Sequence, residues 1–90
     1  MIKYPFKIQK HNDDGEYFLI ECLNYEGGFS QAETFEEAIS NAQEVIDLLL
    51  DYALRNDSFE PPKNVEGDNI YYIQPSIEYA VPAMIKEKRN

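Results

Sequence analysis

The stretch Gly27-Gly28-Phe29-Ser30-Gln31-Ala32-Glu33-Thr34-Phe35-Glu36-Glu37-Ala38 changes its periodicity in the middle, and that change decides the fold. Phe29 to Ala32 reads as a short strand. Thr34 then suits a helix N-cap, and Glu37, at the third helical position, completes a capping box. From that point Phe35, Ala38, Ile39, Ala42, Val45, Ile46, Leu49 and Ala53 recur at helical spacing and define one apolar stripe. Asn56-Asp57-Ser58 followed by Pro61-Pro62 closes the segment, so the pattern predicts a helix over 35–55 lying on one face of a sheet.

Upstream, residues 3–10 set Tyr4, Phe6 and Ile8 against Lys3, Lys7, Gln9 and Lys10, a half-buried strand in which Pro5 points to an edge position or a strand start. His11-Asn12-Asp13-Asp14-Gly15 is a turn. Residues 16–23 form a second strand, apolar enough to be central, and Asn24 to Gly28 a second loop. Downstream, a polar loop from Lys63 to Asp68 leads into a fourth strand over 69–73. Ile77, Val81, Met84 and Ile85 then suit a helical tail over 77–90, with Pro82 expected to start or kink it. The expected class is α+β: β-β-β-α-β, a single layer of antiparallel or mixed sheet packed by one long helix, with a short C-terminal helical tail. Residues 1–76 read as the main domain and 77–90 as a C-terminal helical segment.

Ninety residues suit a chain with an adequate core. Seventeen acidic residues against eight basic ones give a formal charge of −9, which argues against nucleic acid as the direct ligand and for a basic protein partner. No run is long enough to span a bilayer, and the first residues show no apolar signal region. A single cysteine, Cys22, forms no internal disulfide, which predicts a cytoplasmic protein.

The residues that carry chemistry elsewhere are poorly arranged for it here. His11 is the only histidine and sits in a turn beside Asp13 and Asp14. Cys22 falls in a central strand with no cation near it in sequence to lower its pKa. Asp13, Asp14, Glu16 and Glu21 are carboxylates of one hairpin, whereas a hydrolytic metal site needs carboxylates converging from separate elements. Phosphate loops, zinc spacings and nucleophile elbows are lacking in the sequence. The expectation is no enzyme, with no catalytic, cofactor-binding or metal-binding residues. The competing enzymatic reading is a residual magnesium-dependent nuclease using Asp13, Asp14 and Glu21.

The predicted helix says more. Glu37, Glu44 and Asp51 recur every seven residues on a line opposite the apolar stripe, with Glu36, Ser40 and Asp47 alongside. No Lys or Arg occurs between Thr34 and Leu54 to offset them. Like charges at helical spacing cost a few tenths of a kcal/mol per pair, so a helix kept this acidic fits a basic surface. Leu48 projects off the stripe as an apolar anchor would. On the sheet, either Tyr17, Leu19 and Glu21 or Phe18, Ile20 and Cys22 faces the helix, and each register leaves apolar groups on the far side. Tyr71 and Tyr72 add amphipathic surface. The expected partner-binding residues are therefore Glu37, Glu44, Asp47, Asp51, Leu48, Tyr17 and Tyr71.

Over roughly residues 3–76 the chain resembles the N-terminal domain of HicB-family antitoxins. The resemblance rests on Tyr4-Pro5, on Asp13-Asp14-Gly15, on Tyr17-Phe18, and on residues 27–38, which follow the family signature Gly-Cys-x-[ST]-x-Gly-Asp-Thr-x-Glu-Glu-Ala. Asn41-Ala42 continues the helix in the same way. Gly28, Ala32 and Glu33 depart from that signature, and Asn24-Tyr25-Glu26 replaces a Pro-rich loop. The resemblance implies a degenerate ribonuclease-H-like fold without activity. It also implies an antitoxin of a type II toxin-antitoxin system that neutralises a small basic HicA-type mRNA interferase. It further implies homo-dimers or larger homo-oligomers, and transcription autoregulation through a C-terminal DNA-binding domain that these residues do not include, Pro75 to Pro82 resembling its lead-in and the chain being either a truncated or a naturally short member. The competing reading is a stand-alone oligomerisation or adaptor module with no nuclease partner.

Overall fold

The computed structural model describes residues 1–89, in the order β1 (Tyr4–His11), β2 (Tyr17–Cys22), β3 (Phe29–Ala32), α1 (Phe35–Arg55), β4 (Ile70–Ile73) and α2 (Ile77–Arg89). The strands form one four-stranded sheet in the order β3-β2-β1-β4, and every pairing is antiparallel. The sheet is thus antiparallel rather than mixed. β1 is an interior strand, so Pro5 marks its start and not an edge; β3 and β4 are the edges. Asn90, the last position of the expected helical tail, lies outside the described residues.

Register settles which side chains meet the helix. Phe6 pairs with Cys22, Ile8 with Ile20 and Lys10 with Phe18, and because side chains alternate along a strand, Tyr4, Phe6, Ile8, Phe18, Ile20 and Cys22 share one face. Tyr17, Leu19 and Glu21 point the other way. α1 lays Ala38, Ala42, Ile46, Leu50 and Ala53 onto that buried face, with Ile39, Val45 and Leu49 packed at its margins. The small residues Ala38 and Ala42 bring the first half of α1 close to the sheet. Gly28 does the same from the loop: a Cβ there would stand 2.8 Å from the Cys22 Cβ and 2.8 Å from Leu49 Cδ1. This loop passes too close to the helix for any side chain.

The ends of α1 are capped as its sequence requires. The Thr34 hydroxyl accepts from the Glu37 N–H at 3.1 Å, and Glu37 reaches back to the Glu33 N–H at 3.1 Å. At the other end the Ser58 N–H bonds to the Ala53 carbonyl with Asp57 at φ 53°, a Schellman turn holding Asp where Gly is usual. The connection to β4 is pinned by side chains. Buried Asn24 donates to the Pro61 carbonyl at 3.1 Å and accepts from the Lys63 N–H at 2.7 Å. The Tyr4 and Tyr25 hydroxyls both donate to the Glu60 carbonyl at 3.1 Å. On the far side of the sheet the Tyr72 hydroxyl joins Val65.

α2 packs beside α1, and its Ala80 and Ala83 belong to the same core as the sheet. Pro82 does not begin this helix but lies within it, as its sixth residue. Its missing N–H leaves the Glu78 carbonyl without a helical donor, and both residues are exposed, where that loss is mildest.

Candidate protein-interaction surface

The outer face of α1 carries exposed Glu37 and Glu44, with exposed Glu36 on the flank toward β4, and Leu48 and Tyr52, about one to two turns beyond Glu44, are 73% and 66% exposed. Large apolar side chains this open, set among carboxylates on a well-capped helix, form an apolar centre with a charged rim. The only cation on α1 is Arg55, in its last turn, and it pairs with Asp51 at 3.2 Å. Glu36 and Glu44 take part in no ion pair among the described residues.

One of the seven expected contact residues is placed otherwise than the sequence suggests. Asp47 does not stand free on the rim. Its carboxylate accepts from the Ser76 N–H at 2.8 Å and from the Ser76 hydroxyl, tying α1 to the first turn of α2. Tyr17 is on the opposite face of the sheet, half-buried and stacked on His11 with ring centroids 5.5 Å apart. Tyr71 faces the helix side and meets Phe35 edge-on at 5.1 Å, while Phe35 also meets Phe18 at 5.9 Å. It lines a groove between α1 and β4 with Glu36, Ile39 and Gln43. Glu37, Glu44, Leu48 and Asp51 do share the outer face of α1. Asp51 sits at its border, half-buried, and its charge raises the pKa of Tyr79 on α2.

The far face of the sheet offers a second surface. Lys7, Gln9, His11, Leu19, Glu21 and Phe29 line a hollow of about 390 Å³, in which Phe29 is 68% exposed. Nε2 of His11 is buried there without a hydrogen-bond partner. Asp13 and Asp14 lie at the exposed hairpin tip and Glu21 mid-strand on this face; no three His, Cys, Asp or Glu side chains come together as metal ligands among the described residues. Cys22 is buried, and that burial raises its thiol pKa, keeping the sulfur protonated and away from solvent.

What fold and surface define is an α+β protein with an acidic, apolar-centred helix face. The chain matches no family model, no curated protein and no solved structure. No helix among the described residues is long and apolar enough to cross a membrane.

Sequence reasoning missed Leu50, which is fully buried. Leu48, Leu49 and Leu50 stand in a row, and periodicity alone does not choose between neighbours. It also missed Tyr52, whose place four residues after Leu48 puts both on one face and was available as a signal. The bond from Asp47 to Ser76 joins residues 29 apart and leaves no local trace.

Proposed function

We propose that the chain is an antitoxin-type protein-binding domain, with a HicB-like sheet-and-helix layer, that neutralises a small basic ribonuclease of the HicA type. The observation that carries this reading is the exposed side of α1: carboxylates at Glu36, Glu37 and Glu44, an apolar centre at Leu48 and Tyr52, and a single cation already paired. A nuclease that binds RNA must present a basic surface, and an acidic helix is complementary to it. Long-range attraction then speeds encounter, while Leu48 and Tyr52, once desolvated, slow dissociation. Docked there, the domain occludes the RNA site by its bulk and needs no chemistry of its own. The order of elements and the Thr34 junction support the HicB resemblance. Operator binding, which that resemblance also implies, belongs in this reading to a further domain.

The test is direct. A small basic ribonuclease of the HicA type, folded and active, is mixed with the chain at low salt, and RNA cleavage and complex formation are followed. Inhibition through a complex that weakens as salt is added is expected. Unabated cleavage with no complex at low salt would overturn the proposal.

A further inference from the structure

β3 lies at an edge of the sheet, and its outer side is open. The Cys22 N–H donates to the Gly28 carbonyl at 2.8 Å, and Phe18 pairs with Ala32 and Ile20 with Ser30 in the same register. Hydrogen-bonded pairs alternate along an antiparallel ladder. Gly28, Ser30 and Ala32 therefore turn their backbone groups toward β2, and Phe29 and Gln31 turn theirs outward. The Gln31 carbonyl is covered by the Asn41 side-chain amide of α1, which donates to it at 3.0 Å. The Gln31 N–H and both backbone groups of Phe29 meet no partner among the described residues. Edge strands are commonly blunted by charge, proline or a bulge. β3 has none of these, and its Phe29 is 68% exposed.

We propose that β3 takes up an extended segment of a basic protein partner as a further strand of the sheet. The two flanks of the edge define the chemistry of that segment. Asn41 stands over β3, and Glu37, Glu44 and Leu48 share its side of α1 by helical spacing. All three are exposed. On the opposite face of the sheet, Phe29 and Leu19 front the hollow. Side chains of an added strand alternate between these two sides. Basic residues at every second position meet Glu37 and Glu44, and apolar residues between them cover Phe29. β4, the other edge, offers less: beside it Gln43 bonds the Gln74 carbonyl at 2.9 Å and Asp47 is engaged by Ser76. A second copy of the chain suits the edge poorly, since β3 holds no basic residue and each copy carries −9. The choice of a basic occupant rests on the proposed reading of α1, to which this adds how the partner's backbone is held.

The probe is a short peptide alternating Lys with Val, compared with one of the same composition in which every Val precedes every Lys. Each is titrated into the isotope-labelled chain, and amide hydrogen exchange is followed by NMR. The alternating peptide should bind at least about tenfold more tightly and slow exchange at Phe29 and Gln31. Ser30 and Ala32, already paired with β2, should change little. Gln31→Pro removes an outward N–H that β2 does not use and should weaken that binding at least about tenfold. If the variant does not fold, methylating alternate backbone nitrogens of the peptide, one set at a time, decides instead: one set should abolish binding and the other spare it. Equal affinity of the two peptides would overturn the proposal, because net charge alone would then explain binding. So would binding that leaves the Phe29 and Gln31 amides exchanging freely. Protection of those amides in the chain alone, growing with its concentration, would assign the edge to a second copy and overturn it too. A ribonuclease complex in which both amides stay unprotected would sink strand addition and leave the proposed function standing.

Discussion

Asp47 of α1 accepts hydrogen bonds from both the backbone N–H and the hydroxyl of Ser76, the residue that precedes α2. In a capping box, an acid at the third helical position accepts the N–H of the cap residue. α2 has Tyr79 at that position, and Asp47 supplies the acid from a neighbouring helix. Its negative charge also lies at the positive end of the α2 dipole. One carboxylate thus starts the second helix and fastens it to the first.

Removing that carboxylate should loosen α2. Asp47→Ala is expected to cost about 2 kcal/mol, the scale of charge-assisted hydrogen bonds with a half-buried donor left unpaired. Glu44→Ala, on the exposed part of α1, should change stability by no more than about 0.5 kcal/mol. Urea denaturation of the two variants checks the contrast, and equal effects would contradict the assignment.

Gly28→Ala should destabilise by about 1–3 kcal/mol through overpacking. The added Cβ meets the Cys22 Cβ and Leu49 Cδ1 at 2.8 Å, and the Cys22 atom is close to the backbone and has little room to move. Gly15, by contrast, has open space around its Cβ position, but its φ of 99° makes alanine costly there for a different reason. Thermal denaturation of Gly28→Ala, with the crystal structure of the variant, separates packing strain from a change of fold.

Raised tyrosine pKa values predict an alkaline limit to stability. Burial, and then the neighbouring Tyr25, push the Tyr4 hydroxyl far above its ordinary 10.0. Burial likewise raises Tyr25 above 10.0 and the Cys22 thiol above 9.0. The folded state therefore keeps protons that the unfolded chain releases. Its stability is full below about pH 9 and falls as pH rises through 10 and beyond. Tyr4→Phe keeps the ring in the core and removes the largest of these groups, so its alkaline unfolding midpoint should move to higher pH. Tyrosinate absorbance and circular dichroism followed together measure it; a midpoint unmoved or lowered would contradict this explanation.

The α1–β4 connection should depend on Asn24. Asn24→Ala leaves the Pro61 carbonyl and the Lys63 N–H without their partners, at a cost of about 1–3 kcal/mol. Faster hydrogen exchange confined at first to residues 60–65 is the expected local signature.

Local signals carried the fold a long way. The capping box at Thr34 and the apolar stripe behind it gave α1 its observed limits, because both rest on contacts three or four residues apart. Alternation of Tyr4, Phe6 and Ile8 gave β1, but nothing local said that β4 would close against its other side and make it interior. Likewise the sequence of β2 allowed either face inward, and only its register with Phe6 and Ile8 chose Phe18, Ile20 and Cys22. The acidic outer face of α1 was legible for the same reason as its core face, since one period fixes both. Asp47 was misread as a free rim charge because its partner, Ser76, is brought to it by tertiary packing.

The measurement that tests the central claim most directly is titration of the chain into a small basic ribonuclease of the HicA type, by calorimetry at low and at high salt. The wild-type chain should bind at low salt and progressively less tightly as salt screens the carboxylates. Glu36→Lys with Glu44→Lys should weaken binding at least about tenfold, an effect of about 1.4 kcal/mol, without altering the fold. Binding unchanged by that double charge reversal would contradict the account, and so would no binding at low salt to an active ribonuclease.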